Sequence, residues 1–288
     1  MKLKVLVLGS TGLIGHQVFN FLEKTGNYEL HNITYRKKLN QDSILQNVRN
    51  EKEFLNTIRS ISPDIIVNCI GVLIDGANAD PENAIFINAY MPHRLMNLCG
   101  EINSKLIHIS TDCVFSGAKD SAYVEDDIKD GKDTYAKSKG LGEIVNENHL
   151  TLRTSVIGPE LKTDGEELFH WFMSQTGEIK GFTKAIWSGV TTLVLAKAVN
   201  WAIENEIVGL YHVTNNKSID KYTLLTLIKK QIGKDILIVP VPGRELDKSF
   251  IDTRKEINFI IPDYEIMIKE LIDFMSRNKK LYAQYYSA

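Results

Sequence analysis

The chain has 288 residues, of which 43% are hydrophobic and 24% charged, and a formal net charge of −2. That balance describes an ordinary globular chain and gives no reason to expect nucleic acid or an anionic membrane as partner. No apolar run approaches the roughly 20 residues of a membrane helix. The N-terminal apolar stretch is too short for a signal peptide.

The three cysteines, Cys69, Cys99 and Cys113, suit a reducing compartment and no disulfide framework, so a cytoplasmic location is expected. The seven histidines show no metal-ligand spacing, and no metal is expected.

Lys4-Val5-Leu6-Val7-Leu8 reads as a buried parallel strand. It runs into Gly9-Ser10-Thr11-Gly12-Leu13-Ile14-Gly15, after which Leu13, Val18, Phe19 and Leu22 recur at helical spacing. Strand, glycine turn and helix open a dinucleotide-binding βαβ unit. Gly9 permits the tight turn, Gly12 the approach of a pyrophosphate, and Gly15 the packing of helix on sheet. The helix N-terminus offers unpaired N–H groups to the anion. The GxxGxxG spacing resembles the short-chain dehydrogenase/reductase superfamily.

Glu29 to Thr34 reads as the second strand and ends in Tyr35-Arg36-Lys37-Lys38. An NAD-binding chain would place an acid there for the ribose 2′-hydroxyl. Here cations stand instead, so Arg36, with Lys37 in support, reads as a selector for the 2′-phosphate of NADPH. The alternative is a solvated basic loop, and NADH remains open.

Ser43 to Val48 is a weak third strand, and Glu51 to Ile61 a helix. Asp64 to Gly71 is a buried strand ending at the cofactor side. Residues 72–80 read as a polar loop. A long helix is expected from Pro81 or Glu82 to about Glu101, with a kink or opened turn at Pro92. Lys105 to Ser110 is the fifth strand, with Thr111 at its end. Residues 112–134 form a long loop of the kind that is usually functional. A helix from Tyr135 to about Asn146 and a strand Thr151–Thr154 complete an alternation that implies a doubly wound parallel sheet.

Beyond Pro159 the rhythm is irregular. Expected elements are helices over Glu166–Gln175, Thr192–Glu204, Ile219–Gln231 (capped by Ser218) and Tyr264 to about Met275. Extended segments are expected at Phe182–Ser188, Gly209–Val213 and Ile236–Val241. The tail with Tyr282, Tyr285 and Tyr286 reads as a frayed helix end. The fold class is α/β, a Rossmann-like sheet with a smaller interleaved α/β substrate domain. Residues 1–158 plus about 189–215 are assigned to the first, and about 159–188 plus 216–288 to the second.

Tyr135 and Lys139 stand at i and i+4 on one helical face. A lysine cation near the phenol is expected to lower its pKa from about 10 toward the range of a general acid. Thr111 can donate a hydrogen bond to a carbonyl oxygen as negative charge builds there.

Ile109-Ser-Thr-Asp-Cys-Val-Phe-Ser-Gly117 resembles the catalytic strand and loop of dTDP-4-dehydrorhamnose reductases, extended short-chain dehydrogenase/reductases acting on nucleotide sugars. The resemblance also covers the glycine turn, Asn68 to Gly71, Pro81 to Pro92, Ser138 to Glu143 and Leu152 to Ser155. It implies Thr111, Tyr135 and Lys139 as the proton-transfer group. It implies cofactor contacts at Gly9, Thr11, Gly12, Leu13, Ile14, Arg36, Cys69, Ile70, Gly71, Asn88, Tyr135 and Lys139, with Arg153 or Ser155 in addition. The activity implied is NADPH-dependent reduction of a nucleotide-diphospho-4-keto-6-deoxy sugar for surface polysaccharide.

The rhamnose-forming enzymes carry a tyrosine where this chain has Cys113, so the substrate wall differs. That points toward branches whose sugars are UDP-linked and N-acetylated. Cys113 and His170 also resemble the acid–base pair of epimerase-reductases that make GDP-fucose, which leaves a bifunctional enzyme as an alternative. The bland reading of the pair is a small wall residue and an aromatic-cluster histidine. Trp187, Thr191 and Arg254 are candidates for nucleotide or diphosphate contacts; Trp187 as core and Arg254 as a surface cation are the alternatives. A non-catalytic NADP-binding subunit is the rival from another class, and a homodimer is left open.

Overall fold

The computed structural model describes residues 2–286. Strands β1 (Leu3–Leu8), β2 (Tyr28–Thr34), β3 (Ile44–Leu45), β4 (Ile65–Asn68), β5 (Lys105–Thr111) and β6 (Leu150–Thr154) join the strand Gly209–His212 in one seven-stranded sheet. The order across it is Gly209–His212, β6, β5, β4, β1, β2, β3, and every pairing is parallel. The chain leaves β1 toward β2 on one side and returns to β4 on the other. The ends of β1 and β4 therefore form the switch-point crevice where such sheets bind ligands.

Val5, Leu6, Val7 and Leu8 are all fully buried because both faces of the sheet are covered. Val5 and Val7 join the core beneath helix α1 (Gly15–Thr25) and the helix Thr192–Glu204. Leu6 and Leu8 join the opposite core, beneath helix α2 (Glu51–Ile61) and the helix Met91–Ile102. Alternate side chains of one strand thus hold both layers.

After β6 the chain builds smaller sheets. Leu237–Val241 pairs with Glu178–Phe182, and Ala185–Trp187 lies between Ile219–Asp220 and Leu246–Asp247.

Several expectations need correction. Residues 72–80 are not all loop, since Ile74–Ala79 is helical. The expected long helix is broken into Pro81–Ala84, a π-turn Ile85–Tyr90 and Met91–Ile102. The opened turn lies just before Pro92, which has no N–H for the carbonyl four residues back. The helix bearing Tyr135 runs only from Thr134 to Leu141. The helix expected from Ile219 starts at Lys221 and is capped by Asp220, not Ser218. The tail is not frayed: Ala283–Tyr285 forms a 3-10 turn and Tyr282 is fully buried.

Candidate active site

The glycine turn has the shape that a dinucleotide requires. Gly9 has φ +75°, and a Cβ there would lie 3.2 Å from the Cys69 carbonyl and from Ile70, where β1 and β4 end side by side. A Cβ on Gly15 would fall 2.2 Å from the Gly9 oxygen. A Cβ on Gly12 would meet the Gly9 oxygen at 3.3 Å and nothing else within 4 Å, so the turn is open on that side. Helix α1 has no side-chain cap at its N-terminus. Free N–H groups with no competing side chain suit a pyrophosphate. Thr11, Leu13 and Ile14 are half-buried around this opening. The residues present therefore fit the dinucleotide.

Arg36 stands exposed just past β2, its guanidinium 5.4 Å from the Tyr35 ring. At the end of β4 the Ile70 N–H donates to the Asn68 side chain at 3.2 Å. Gly71 faces Asn88, whose amide both accepts from Val72 N and donates to Val72 O at 2.9 Å, and donates to Ser138 Oγ at 3.2 Å. Asn88 sits in the π-turn and so ties the loop after β4 to the helix that carries Lys139. A Cβ on Gly142 would come within 1.9 Å of the Asn88 oxygen, so this close approach depends on that glycine.

The Asp133 side chain caps the Tyr135 helix through Ala136 N at 2.7 Å. Tyr135, Lys139 and Thr111 are all buried at the end of β5. Burial pushes the Tyr135 phenol above its usual range; the Cys113, Asp112 and Glu167 charges push the same way, and a hydrogen bond with Thr111 opposes them. The expected depression by Lys139 is therefore corrected: desolvation governs the phenol here. Lys139 donates to the Ile109 carbonyl at 2.7 Å, and burial brings its ammonium down to about 8 against the pull of Glu143 and Cys69. Cys69 is pushed up to about 12 by burial. Thr111 Oγ1 also reaches Asp112 Oδ1 at 3.2 Å and accepts from Cys113 N at 3.1 Å.

Behind this group lies a buried pair that sequence reasoning missed. Glu143 takes Arg153 Nε and Nη2 at 2.8 and 2.7 Å and Ser110 Oγ at 2.7 Å. Arg153 further reaches the Glu125 carbonyl and His212. Arg153 is thus occupied inside the protein, not turned to the cofactor side. An arginine inside an apolar strand, 10 residues after a glutamate, was the available signal.

On the substrate side, Trp187 is buried, donates to Ser155 Oγ at 2.7 Å and packs on Tyr264. Thr191 caps the helix Thr192–Glu204. Arg254 Nη1 donates to the carbonyls of Val208 and Leu210 at 2.7 and 3.0 Å, and Nε to Glu256 at 2.6 Å. It is not assembled with Tyr135. Burial pushes Cys113 up to about 12, with Asp112 adding to it, and His170 Nδ1 is 2.8 Å from the Tyr285 hydroxyl. Half-buried Lys221 and Lys248, which the sequence did not single out, both act on Asp112 and Cys113. Among the described residues neither ammonium makes a hydrogen bond or ion pair. Lys221 lies 6.0 Å from the Trp187 ring. No group of ligands suitable for a metal and no helix long and apolar enough to cross a membrane occurs among the described residues.

A parallel switch-point sheet, a GxxGxxG turn and a buried Thr–Tyr–Lys group define the class of extended short-chain dehydrogenase/reductases. Within it, the chain belongs to the RmlD substrate binding domain family, which matches residues 2–249. It is 24% identical over 300 residues to a dTDP-4-dehydrorhamnose reductase of Escherichia coli (strain K12), covering 94% of this chain and 97% of that one. It is 28% identical over 247 residues to the spore coat polysaccharide biosynthesis protein SpsK of Bacillus subtilis (strain 168), covering 84% of each. Among solved structures, a dTDP-4-dehydrorhamnose reductase of Bacillus anthracis str. Ames, crystallised with NADP, superposes with a TM-score of 0.79 at 22% identity. The match covers 95% of this chain and all of that one.

Proposed function

We propose that the protein is an NADPH-dependent reductase of the 4-keto group of a nucleotide-diphospho-4-keto-6-deoxy sugar, in the supply of surface polysaccharide precursors. The observation that carries this is the hydrogen bond of Tyr135 with Thr111 and the seat of Lys139 on the Ile109 carbonyl at the end of β5, in the same parallel sheet whose β1 runs into an open glycine turn. The cofactor is assigned to residues 1–158 and about 189–215, the sugar to about 159–188 and 216–288. Gly9, Thr11, Gly12, Leu13 and Ile14 would cradle its pyrophosphate, Arg36 the 2′-phosphate, and Cys69, Ile70, Gly71, Asn88, Tyr135 and Lys139 the nicotinamide half. When bound, NADPH supplies the hydride.

The chain's own residues handle the proton. A buried phenol with a raised pKa keeps its proton at neutral pH and yields it only to a strongly basic oxygen, such as a carbonyl oxygen gaining negative charge. Thr111 orients that oxygen by a hydrogen bond. Lys139, held on the Ile109 carbonyl, bears a positive charge beneath the site that favours charge transfer to the sugar oxygen. Lys221 and Lys248, left without anionic partners at hydrogen-bond distance, are the cations assigned to the substrate diphosphate in place of Arg254.

Cys113 and His170 lend the epimerase reading no support, since a thiol pushed up to about 12 is no base at neutral pH and His170 is engaged by Tyr285. Stopped-flow NADPH oxidation with dTDP-, UDP- and GDP-linked 4-keto-6-deoxy sugars tests the proposal. Turnover on one of them, lost by a factor on the order of a hundred or more in Tyr135→Phe, is expected. Tight NADPH binding without turnover on any would favour a non-catalytic subunit.

A further inference from the structure

His16 follows the glycine turn directly, and its ring is fully buried. Nδ1 lies 2.8 Å from the Gly12 carbonyl, and Nε2 lies 3.1 Å from the hydroxyl of Tyr282 at the other end of the chain. That hydroxyl is also 3.0 Å from Gln17 Oε1. Burial drives His16 down to about 4, so the ring is neutral and donates from one nitrogen only. The carbonyl of Gly12 can only accept. Nδ1 therefore carries the proton, and Nε2 accepts from Tyr282. A phenol has one proton; once it is given to His16 Nε2, the Gln17 amide must be turned over, nitrogen for oxygen, to donate to the hydroxyl. Its amide nitrogen, which has no other partner among the described residues, meets that need when it faces the hydroxyl. The chain of bonds then runs from Gln17 to Tyr282 to His16 to Gly12.

Gly12 C=O and Leu13 N–H share one rigid peptide plane. Holding the carbonyl therefore aims the Leu13 N–H the opposite way, and Leu13 is one of the residues lining the open turn. Three residues beyond Tyr282, the Tyr285 hydroxyl lies 2.8 Å from His170 Nδ1 and accepts from Glu160 N at 3.0 Å. Gln284 donates to the Glu160 carbonyl, and Glu160 Oε1 accepts from Glu167 N at 2.9 Å, at the start of the helix Leu168–Ser174. Glu167 is one of the carboxyls whose charge reaches Tyr135.

We propose that Tyr282 and Tyr285 are positioning residues of a C-terminal clasp. Tyr282, through His16, fixes the peptide that faces the cofactor pyrophosphate, and Tyr285 holds the substrate-side helix. The proposal rests on reading the glycine turn as an NADPH cradle.

NADPH alone is the probe, titrated by fluorescence into the full chain and into Tyr282→Phe and Tyr285→Phe, which keep both rings. Tyr282→Phe is expected to weaken NADPH binding roughly five- to tenfold, as for one buried hydrogen bond, and to speed hydrogen exchange in residues 9–15. Tyr285→Phe should leave NADPH binding within about twofold, below the effect of one lost bond, and raise the KM for the sugar with little change in kcat. Gln17→Leu, at the far end of the same chain of bonds, should weaken NADPH binding in the same direction if Tyr282→Phe does not fold. If the wild-type chain binds and Tyr282→Phe binds as tightly, the clasp falls alone. If the wild-type chain binds no NADPH, the cradle reading falls and takes the clasp with it.

Discussion

Removing the Glu143 carboxylate should destabilise the protein more than removing the whole pair it belongs to. Glu143 and Arg153 have side chains 1% and 2% exposed, and the carboxylate takes two bonds from the guanidinium and one from Ser110, all at 2.7–2.8 Å. Glu143→Leu leaves that guanidinium buried with the Glu125 carbonyl, His212 and the face of the Phe115 ring as its remaining partners, none of them an anion. Burial brings His212 down to about 4, with the Arg153 charge adding to it, so the ring is neutral and offers the guanidinium only a lone pair at Nε2. An uncompensated buried charge costs about 3–5 kcal/mol, a large share of a total of about 5–15 kcal/mol. In Glu143→Leu with Arg153→Met both charges leave together, and the double variant should recover at least about 2 kcal/mol of the sum of the singles. Urea unfolding followed by tryptophan fluorescence and far-UV circular dichroism measures all four members of the cycle. A single-variant loss under about 1 kcal/mol, the size seen for exposed pairs, would refute the argument.

Arg36→Ala should weaken NADPH binding on the order of ten- to a hundredfold and leave NADH unchanged, as read by parallel fluorescence titrations. Gly142→Ala places a methyl against the Asn88 carbonyl. It should cost about 1–3 kcal/mol in unfolding experiments, as overpacking does, with a larger proportional loss of turnover because Asn88 also steadies Ser138 beside Lys139. Stability against pH should show two opposed acid effects. Burial raises Asp252 to about 6. A carboxyl raised on folding binds its proton more tightly when folded, so it erodes stability as pH climbs from about 4 to about 6. Asp252→Asn should flatten that slope. Arg153 and Ser110 hold Glu143 below its usual value against the cost of burial. Its contribution is present above about 4.3 and is lost as pH falls through its lower folded value. Denaturation midpoints between pH 3 and 7, on the order of the carboxyl range, separate the two.

What the sequence revealed follows from what repeats locally. The helices Glu51–Ile61 and Thr192–Glu204 appear with the bounds their periodicity predicts, and the glycine turn and the Tyr135–Lys139 face were legible because their chemistry sits within a few residues. Ile74–Ala79 escaped because a single turn of Asp, Gly, Ala and Asn has no apolar period to read. Pro92 announced a disturbance, but the contacts that the resulting π-turn makes, such as the close approach of Asn88 to Gly142 at the end of another helix, are tertiary. The pairing of Glu143 with Arg153 and the reach of Tyr282 to His16 depend on the folded sheet, and no local pattern encodes them. The phenol's raised pKa depends on three-dimensional burial, which the i, i+4 spacing to Lys139 does not contain.

Arg254 gains a different meaning from its place at the rim of the sheet. Gly209–His212 is an outermost strand, and its outward carbonyls at Val208 and Leu210 take the guanidinium, while the outward His212 N–H meets the Glu125 carboxylate. Two side chains from distant loops thus imitate the donors and acceptors of an eighth strand. With three outward groups of that border engaged, a neighbouring chain finds fewer backbone partners there, and charged side chains blunt an edge that more polypeptide would otherwise cover.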